Sequence, residues 1–289
     1  MSDMMKLRAF RDAAEFYDKI RNFQSERSIE NDLMLGLTYL LVEDPNHFDT
    51  EPFLMTVEEK GETALCAFMT PPWNMLVNSK DESVEPMEYL IDYLLENGIS
   101  IPGVNGPANI SGRFAQIWCE NTGDDFKLHM ETRLFIIKKV ESIRRSHGEM
   151  IKADMGHLEI LKEWGKRFHN DVGMKISDDF LRKHAEYGIK TGNAFLWIDE
   201  EPVCMTFRER AHEDGISIGY VYTPEQFRNR GYATNLVASV SQLSLDTEYS
   251  YCSLFTDLAN PTSNSIYRKI GYRPVCDYNH YNFIKTNQK

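Results

Sequence analysis

The run Tyr220–Gln242, YVYTPEQFRNRGYATNLVASVSQ, constrains the fold of this chain more than any other stretch. It opens as an aromatic and β-branched apolar run of the kind that forms strands. It closes as a helix, with Ala233, Leu236, Val237, Val240 and Leu243 at helical spacing. Between the two lies a basic turn, Arg228-Asn229-Arg230-Gly231-Tyr232-Ala233. A strand that feeds a helix through a glycine turn points backbone N–H groups at the helix N-terminus, which makes an anion site. Gly231 permits a positive φ or a close backbone approach. Arg228 and Arg230 add fixed charges suited to phosphate oxygens. Taken alone, the turn reads equally as a phosphate cradle and as a solvated basic loop. Two phosphate-binding patterns are excluded, because neither G-x-x-x-x-G-K-[ST] nor G-x-G-x-x-G occurs.

Around this junction the C-terminal half reads, from about Gly148, as β-α-α-β-β-β-α-β-α-β-β. A short strand EMIK precedes a helix with Leu158, Leu161, Trp164 and Phe168 on one face. The next helix has Ser177 as N-cap, acids in its first turn and Gly188 just past its end. Strand-like runs NAFLWID, EPVCMTFRER and GISIGYVYT follow, parted by the turns DEEP and HEDG. After the Ala233 helix come the strand YCSLFT, the helix NPTSNSIYRKI ended by Gly271, and final strands near YRPVC and HYNFI.

The N-terminal half reads as α-α-β-β-β-α-β-α-β. Its first helix is placed over LRAFRDAAEFYDKIRNF, with Ala13, Phe16, Ile20 and Phe23 inward. The near repetition of element types, without a repeat at the level of residues, predicts a duplicated fold. At 289 residues two domains are expected, 1–145 and 146–289, joined at the charged KKVESIRRSHGEM. The predicted class is α/β, with mixed sheets.

Composition removes several functions. Lys and Arg total 32 against 44 Asp and Glu, a net charge of −12, which argues against nucleic-acid partners and anionic membranes. No run of about 18 apolar residues occurs, so no membrane span is expected. The charged start lacks a signal core. Five cysteines form no C-x-x-C pair and three lie in apolar runs, as expected of buried free thiols in a reducing, cytoplasmic compartment. The eight histidines show no metal-ligating spacing, so no metal is expected.

The basic turn, the preceding VYT and PEQF, and the later LFTDLANPTSNSIYRKIGY together resemble the GNAT N-acetyltransferase superfamily over roughly residues 148–284. That family carries R/Q-x-x-G-x-G/A between a strand and a helix, here Arg228 to Ala233. It often carries an Asn and a Tyr on a later helix, here Asn264 and Tyr267, followed by IGY at Ile270–Tyr272. The resemblance implies acetyl-coenzyme A as co-substrate. Tyr220, Val221 and Tyr222 would pair with the pantetheine arm. Arg228, Asn229, Arg230, Gly231, Tyr232 and Ala233 would hold the pyrophosphate. The strands 215–222 and 251–256 would splay around the thioester. The N-terminal half lacks the loop, so it is expected to be a degenerate copy that shapes the acceptor cleft, where Trp73 serves either as lining or as core.

Asn260 suits an N-cap and Pro261 the first helical position. Asn260, Asn264 and Tyr267 share one face, a ligand-facing polar stripe beside the core stripe of Ile266 and Ile270. Acylating an alkylamine of pKa about 10.4 requires a proton acceptor, an oxyanion donor and a proton for the departing thiolate. Tyr267 is the expected general acid, and a backbone N–H near Tyr222 the oxyanion donor. Relatives place a Glu where this chain has Ser217, so the base is left open among Glu209, His212 and His280. The first two flank a turn and are expected in solvent. The expected function is acetyl transfer to a primary amine, of a small molecule or a peptide, by direct attack in a ternary complex. A non-catalytic acyl-coenzyme-A sensor and a tandem acyltransferase with another acyl donor are the alternatives.

Overall fold

The computed structural model describes residues 5–23 and 28–286. By internal contacts the chain divides into two compact units. The first contains the described residues up to Leu134, with Thr256–Ala259 and everything described from Pro274 onward; the second contains Phe135–Phe255 and Asn260–Arg273.

In the first unit the elements are β1 (Met5–Phe10), α1 (Ala13–Arg21), α2 (Asp32–Glu43), β2 (Phe53–Glu59), β3 (Glu62–Met69), β4 (Met75–Ser79), α3 (Val84–Glu96), β5 (Gly103–Pro107), α4 (Ala108–Thr122) and β6 (Asp125–Ile137). The second has β7 (Glu149–Lys152), α5 (Leu158–Asp171), α6 (Asp178–Lys190), β8 (Ala194–Asp199), β9 (Glu201–Ala211), β10 (Gly215–Tyr222), α7 (Tyr232–Thr247), β11 (Tyr251–Asp257) and α8 (Pro261–Ile270). β12 (Arg273–Ile284) closes the chain. The order β-α-α-β-β-β-α-β-α-β thus occurs twice, where the sequence reading lacked β1 and divided β12 in two.

Within the first unit the strand order is β1-β2-β3-β4-β5-β12-β6. Its hairpins are antiparallel, β4 and β5 are parallel, and β12 is antiparallel to β5 with Tyr278 opposite Pro107. Within the second unit the order is β7-β8-β9-β10-β11, antiparallel except for β10 with β11. Each unit has its own core. Met55, Val57, Leu65 and Val77 pack with α3 and α4 in the first. In the second, Ile216, Ile218, Cys252 and Leu254 pack with α7 and Tyr272, while Leu196, Met205, Phe207 and Tyr222 face α5 and α6.

Five local expectations are corrected. Leu7–Phe10 is strand, not the start of a helix, because Met5–Phe10 pairs residue by residue with Glu59–Leu54. Gly188 lies inside α6 rather than past it, and its reason is packing: a Cβ there would stand 2.7 Å from the Phe207 ring. The two final strands are one, β12. Because β12 pairs with β5, residues from Pro274 onward fall in the first unit, and the boundary lies near 135 rather than 145. Trp73 is exposed rather than core.

His280, on β12, stands 3.3 Å from the Thr132 hydroxyl through Nε2. Burial, aided by the charge of His129, pushes its imidazole from 6.5 down to about 4. A base so weakened does not suit amine deprotonation near neutral pH. Its folded pKa lies below its unfolded one, so the stability it contributes is complete above pH 6.5 and is lost as pH falls towards 4. The loss is at most about 3 kcal/mol. Urea unfolding of His280→Gln is expected to show a smaller drop in stability between pH 7 and pH 4.5 than the parent. Equal drops would place the acid sensitivity elsewhere.

Candidate active site

β10 and β11 are paired only from Gly215–Ser217 to Tyr251–Ser253. Beyond Ser217 the ladder ends while β10 continues to Tyr222. Two offset bulges produce the divergence. Between Ile216/Ala211 and Ile218/Arg208, β9 carries an extra residue; between Gly219/Phe207 and Tyr222/Met205, β10 carries one. Bulges bend a strand and re-aim side chains. Tyr220 takes the second bulge at φ 52°, a strained conformation for a non-glycine residue. The Thr206 hydroxyl, fully buried, donates to the Gly219 carbonyl at 2.9 Å and pins the bulge. In the first unit the corresponding strands β4 and β5 pair at Met75–Leu76 with Val104–Asn105, and Gly106 sits against the Val77 carbonyl, 2.3 Å from where a Cβ would stand.

After β10 a short 3-10 turn, Glu225–Phe227, leads to the basic turn. Asn229 at φ 64° and Gly231 at φ 84° alternate with residues of ordinary φ, the arrangement that turns successive N–H groups to one side and makes an anion nest. The nest opens directly on the N-terminus of α7. It is braced from behind. The Ser146 hydroxyl donates to the Arg230 carbonyl at 2.9 Å, and the buried Asn235 side chain bonds Ser146, the Arg144 carbonyl and the Gly231 carbonyl.

The two arginines differ. Arg228 turns back on the protein, with Nε donating to the Thr223 carbonyl at 2.9 Å and a terminal nitrogen 3.3 Å from Asp171. Arg230 is exposed, lies 6.0 Å from the Phe227 ring centroid, and makes no ion pair among the described residues. Tyr232 is buried; its hydroxyl donates to Asp199 and also meets the Arg230 side chain. Val221 and Ala233 pack partly buried on the α7 side. On α8, Asn260 is the N-cap and its side chain accepts from the Ser263 N–H at 3.1 Å, with Pro261 behind it. The Asn264 amide donates to the Asn260 carbonyl at 2.8 Å. Tyr267 is buried, with its ring 5.9 Å from that of Tyr272. Burial raises its hydroxyl pKa, with Cys204 adding to the shift. Diverging strands, nest and α8 tyrosine therefore stand in one unit.

The residues left open as bases are placed otherwise than expected. Glu209 and His212 are not in solvent. His212 is buried with Nε2 3.0 Å from the Tyr251 hydroxyl. Glu209 projects from the β9 bulge onto the α6 side, against Gly219, and His184 Nε2 lies 3.1 and 3.3 Å from its two oxygens. Burial raises the Glu209 pKa, but His184 and then Arg210 more than offset it, leaving the carboxyl below its usual range. Ser217, where relatives carry an acid, is buried and accepts from Arg210 at 2.9 Å. His184 was missed by sequence reasoning. Its signal was its place at i+3 from Leu181 and i−4 from Gly188, on the sheet-facing side of α6.

A parallel strand pair that parts above a left-handed basic turn, in an otherwise antiparallel sheet, defines the GNAT acyltransferase fold. Comparison with known proteins agrees. Residues 200–281 match the family model described as FR47-like protein. No curated protein matches the chain at the level of sequence. Among solved structures, a GCN5-related N-acetyltransferase from Sphaerobacter thermophilus superposes with TM-score 0.67 at 13% identity, over 99% of this chain and 98% of that one. A GNAT-family acetyltransferase from Colwellia psychrerythraea gives TM-score 0.60 at 10% identity, over 97% and 100%. A tandem GNAT protein of the clavulanic acid biosynthesis pathway gives 0.56 at 8%, over 96% and 98%. The C-terminal resemblance read from the sequence thus holds, and the fold is that of GNAT acetyltransferases. Among the described residues no helix is long and apolar enough to cross a membrane.

Proposed function

We propose that the protein is an acyltransferase that moves an acetyl group from acetyl-coenzyme A to a primary amine by direct attack in a ternary complex. The observation that carries this reading is the parting of β10 and β11 beyond Ser217, immediately before the Asn229–Gly231 nest. The gap offers unpaired backbone groups to a pantetheine arm, and the nest offers N–H groups to a pyrophosphate. The strained peptide around Tyr220–Tyr222 would aim an N–H at the oxyanion. Tyr267 would protonate the leaving thiolate. Arg228, Asn229, Arg230, Gly231, Tyr232 and Ala233 would contribute mainly through backbone, with Arg230 as the available side-chain charge. Asn264 would border the arm, and Asn260 would act through the helix it caps. The first unit, with no basic nest after β4, would serve the acceptor. The acceptor is a small molecule or a peptide, and no nucleic acid or membrane takes part. The buried free thiols Cys66, Cys204 and Cys252 fit a reducing cytoplasm.

Calorimetric titration with acetyl-coenzyme A, followed by mass spectrometry of amines incubated with both, tests the reading. Absence of binding would sink it. Because Asp171 partly neutralises Arg228, Arg230→Ala is expected to weaken binding by about tenfold, as loss of one charge-assisted bond implies. Arg228→Ala is expected to weaken it less. The reverse order would show that Arg228 leaves Asp171 for the phosphates.

A further inference from the structure

His184 and Glu209 form an acid–imidazole pair against the bulge of β10. The His184 ring stacks on Tyr220, with centroids 4.2 Å apart and planes 19° apart, and Tyr220 is the residue in the left-handed conformation where β10 leaves β11. Phe207 lies on another side of the ring at 4.7 Å, and Phe180 stacks further out. The carboxylate binds Nε2 through both oxygens, so Nε2 carries the hydrogen and, in the neutral ring, Nδ1 presents a lone pair. Nδ1 has no partner among the described residues, and the side chain is 19% exposed. The charged and titratable groups packed around the pair are His169 from α5, Tyr220 from β10, and Arg210 beside Glu209 on β9. His169 is itself satisfied, with Nδ1 2.8 Å from the Gly165 carbonyl and Nε2 3.4 Å from the Tyr220 hydroxyl.

We infer that His184 is the base that deprotonates the acceptor ammonium, and that Glu209 is the positioning residue that fixes its tautomer. This rests on the acetyl-transfer reading above. The β9 bulge supplies the reason for the arrangement: it turns a carboxylate inward beside Gly219, whose missing side chain leaves it room, since a Cβ there would stand 2.9 Å from the Glu209 Cγ. His184 Nδ1 takes one proton from R–NH3+. The freed nitrogen pair forms the C–N bond to the thioester carbon. The C–S bond breaks with its pair going to sulfur, which takes the Tyr267 proton. The intermediate's second nitrogen proton returns to the Tyr267 oxygen, and His184 releases its proton to solvent. The products are an amide, a thiol and one proton.

The full chain and its His184→Gln and Glu209→Gln variants are to be titrated with acetyl-coenzyme A. They are then assayed at pH 7 with benzylamine and spermidine, which are cationic, and with aniline, which is neutral. His184→Gln is expected to bind acetyl-coenzyme A within twofold of the parent. It should lose about 100-fold in kcat/KM for the cationic amines. Aniline, which needs no prior deprotonation, should lose less than about threefold. Glu209→Gln keeps an acceptor for Nε2–H but removes the negative charge that faces the ring. Its plateau rate should fall, and the acid limb of its pH–rate profile should move to lower pH. That limb is a readout which mere structural support would leave in place, and it decides the matter should His184→Gln misfold. Equal losses for aniline and benzylamine, unimpaired turnover by His184→Gln, or an unmoved acid limb would overturn the inference while leaving acetyl transfer standing. A parent that binds acetyl-coenzyme A but acetylates none of the three amines would overturn it too. A parent that does not bind acetyl-coenzyme A would overturn the reading beneath it.

Discussion

Gly231→Val is expected to weaken acetyl-coenzyme A binding at least 100-fold while leaving the fold in place. Gly231 holds φ 84° and ψ 4° at the first turn of α7. An L-residue in that region costs about 1–2 kcal/mol, and a β-branched one more. A Cβ would also stand 2.7 Å from the Ser146 hydroxyl. Ser146 cannot simply step aside, because that hydroxyl donates to the Arg230 carbonyl and accepts from Asn235, which in turn holds the Arg144 carbonyl. The cheaper relaxation is to swing the 230–231 peptide, and that turns an N–H out of the nest. The lesion therefore falls on anion binding more than on stability, where a shift of a few degrees in Tm is expected. Gly231→Ala combined with Ser146→Gly separates the two causes, since it removes the contact and keeps the left-handed strain. Recovery of binding in the double variant would assign the effect to the contact. Wild-type affinity in Gly231→Val would show that the pyrophosphate lies elsewhere.

The strand-turn-helix at 220–242 was legible because its determinants are local: an apolar β-type run, a glycine that tolerates positive φ, and a helix with a clear apolar stripe. The hairpin at Lys60–Gly61, both at positive φ, rests on determinants of the same local kind. What the sequence hid was set by partners far along the chain. Met5–Phe10 has helix-compatible spacing of Leu7 and Phe10, and only its pairing with Phe53–Glu59 makes it a strand. Gly188 sits where a helix stop is natural, yet it serves the approach of the Phe207 ring. Cys276 to Phe283 mixes polar and apolar residues on a strand whose place beside β5 has no local signature. Glu209 and His212 flank HEDG and read as solvated. The offset bulges of β9 and β10 fold Glu209 inward, and Tyr251 covers His212. A bulge is one residue of mismatch between two strands, and neither strand records it alone.

Tyr267→Phe is expected to lower kcat about 100-fold and to change the affinity for acetyl-coenzyme A less than about threefold. The side chain is buried on α8 beside Tyr272, so phenylalanine fills the same space and the core of the second unit is kept. What is lost is one proton donor. Burial holds the Tyr267 pKa above the tyrosine value of 10, so the hydroxyl keeps its proton throughout the range in which an amine acetyltransferase would work. An alkaline limb in kcat well below pH 10 then belongs to another group. A tyrosine raised in this way is a weaker acid than a free thiol of pKa about 8.5, and full proton transfer to a solvated thiolate would run uphill. A nascent thiolate in the same desolvated gap is more basic than one in water, which narrows the difference. The proton can then move as the C–S bond breaks rather than before it. Two quantities separate this role from packing: kcat per folded molecule, and Tm. A donor lost gives a low kcat with Tm nearly unchanged. A packing residue gives a lower Tm with kcat per folded molecule intact, and that outcome would remove Tyr267 from the reaction and leave solvent to protonate the thiolate.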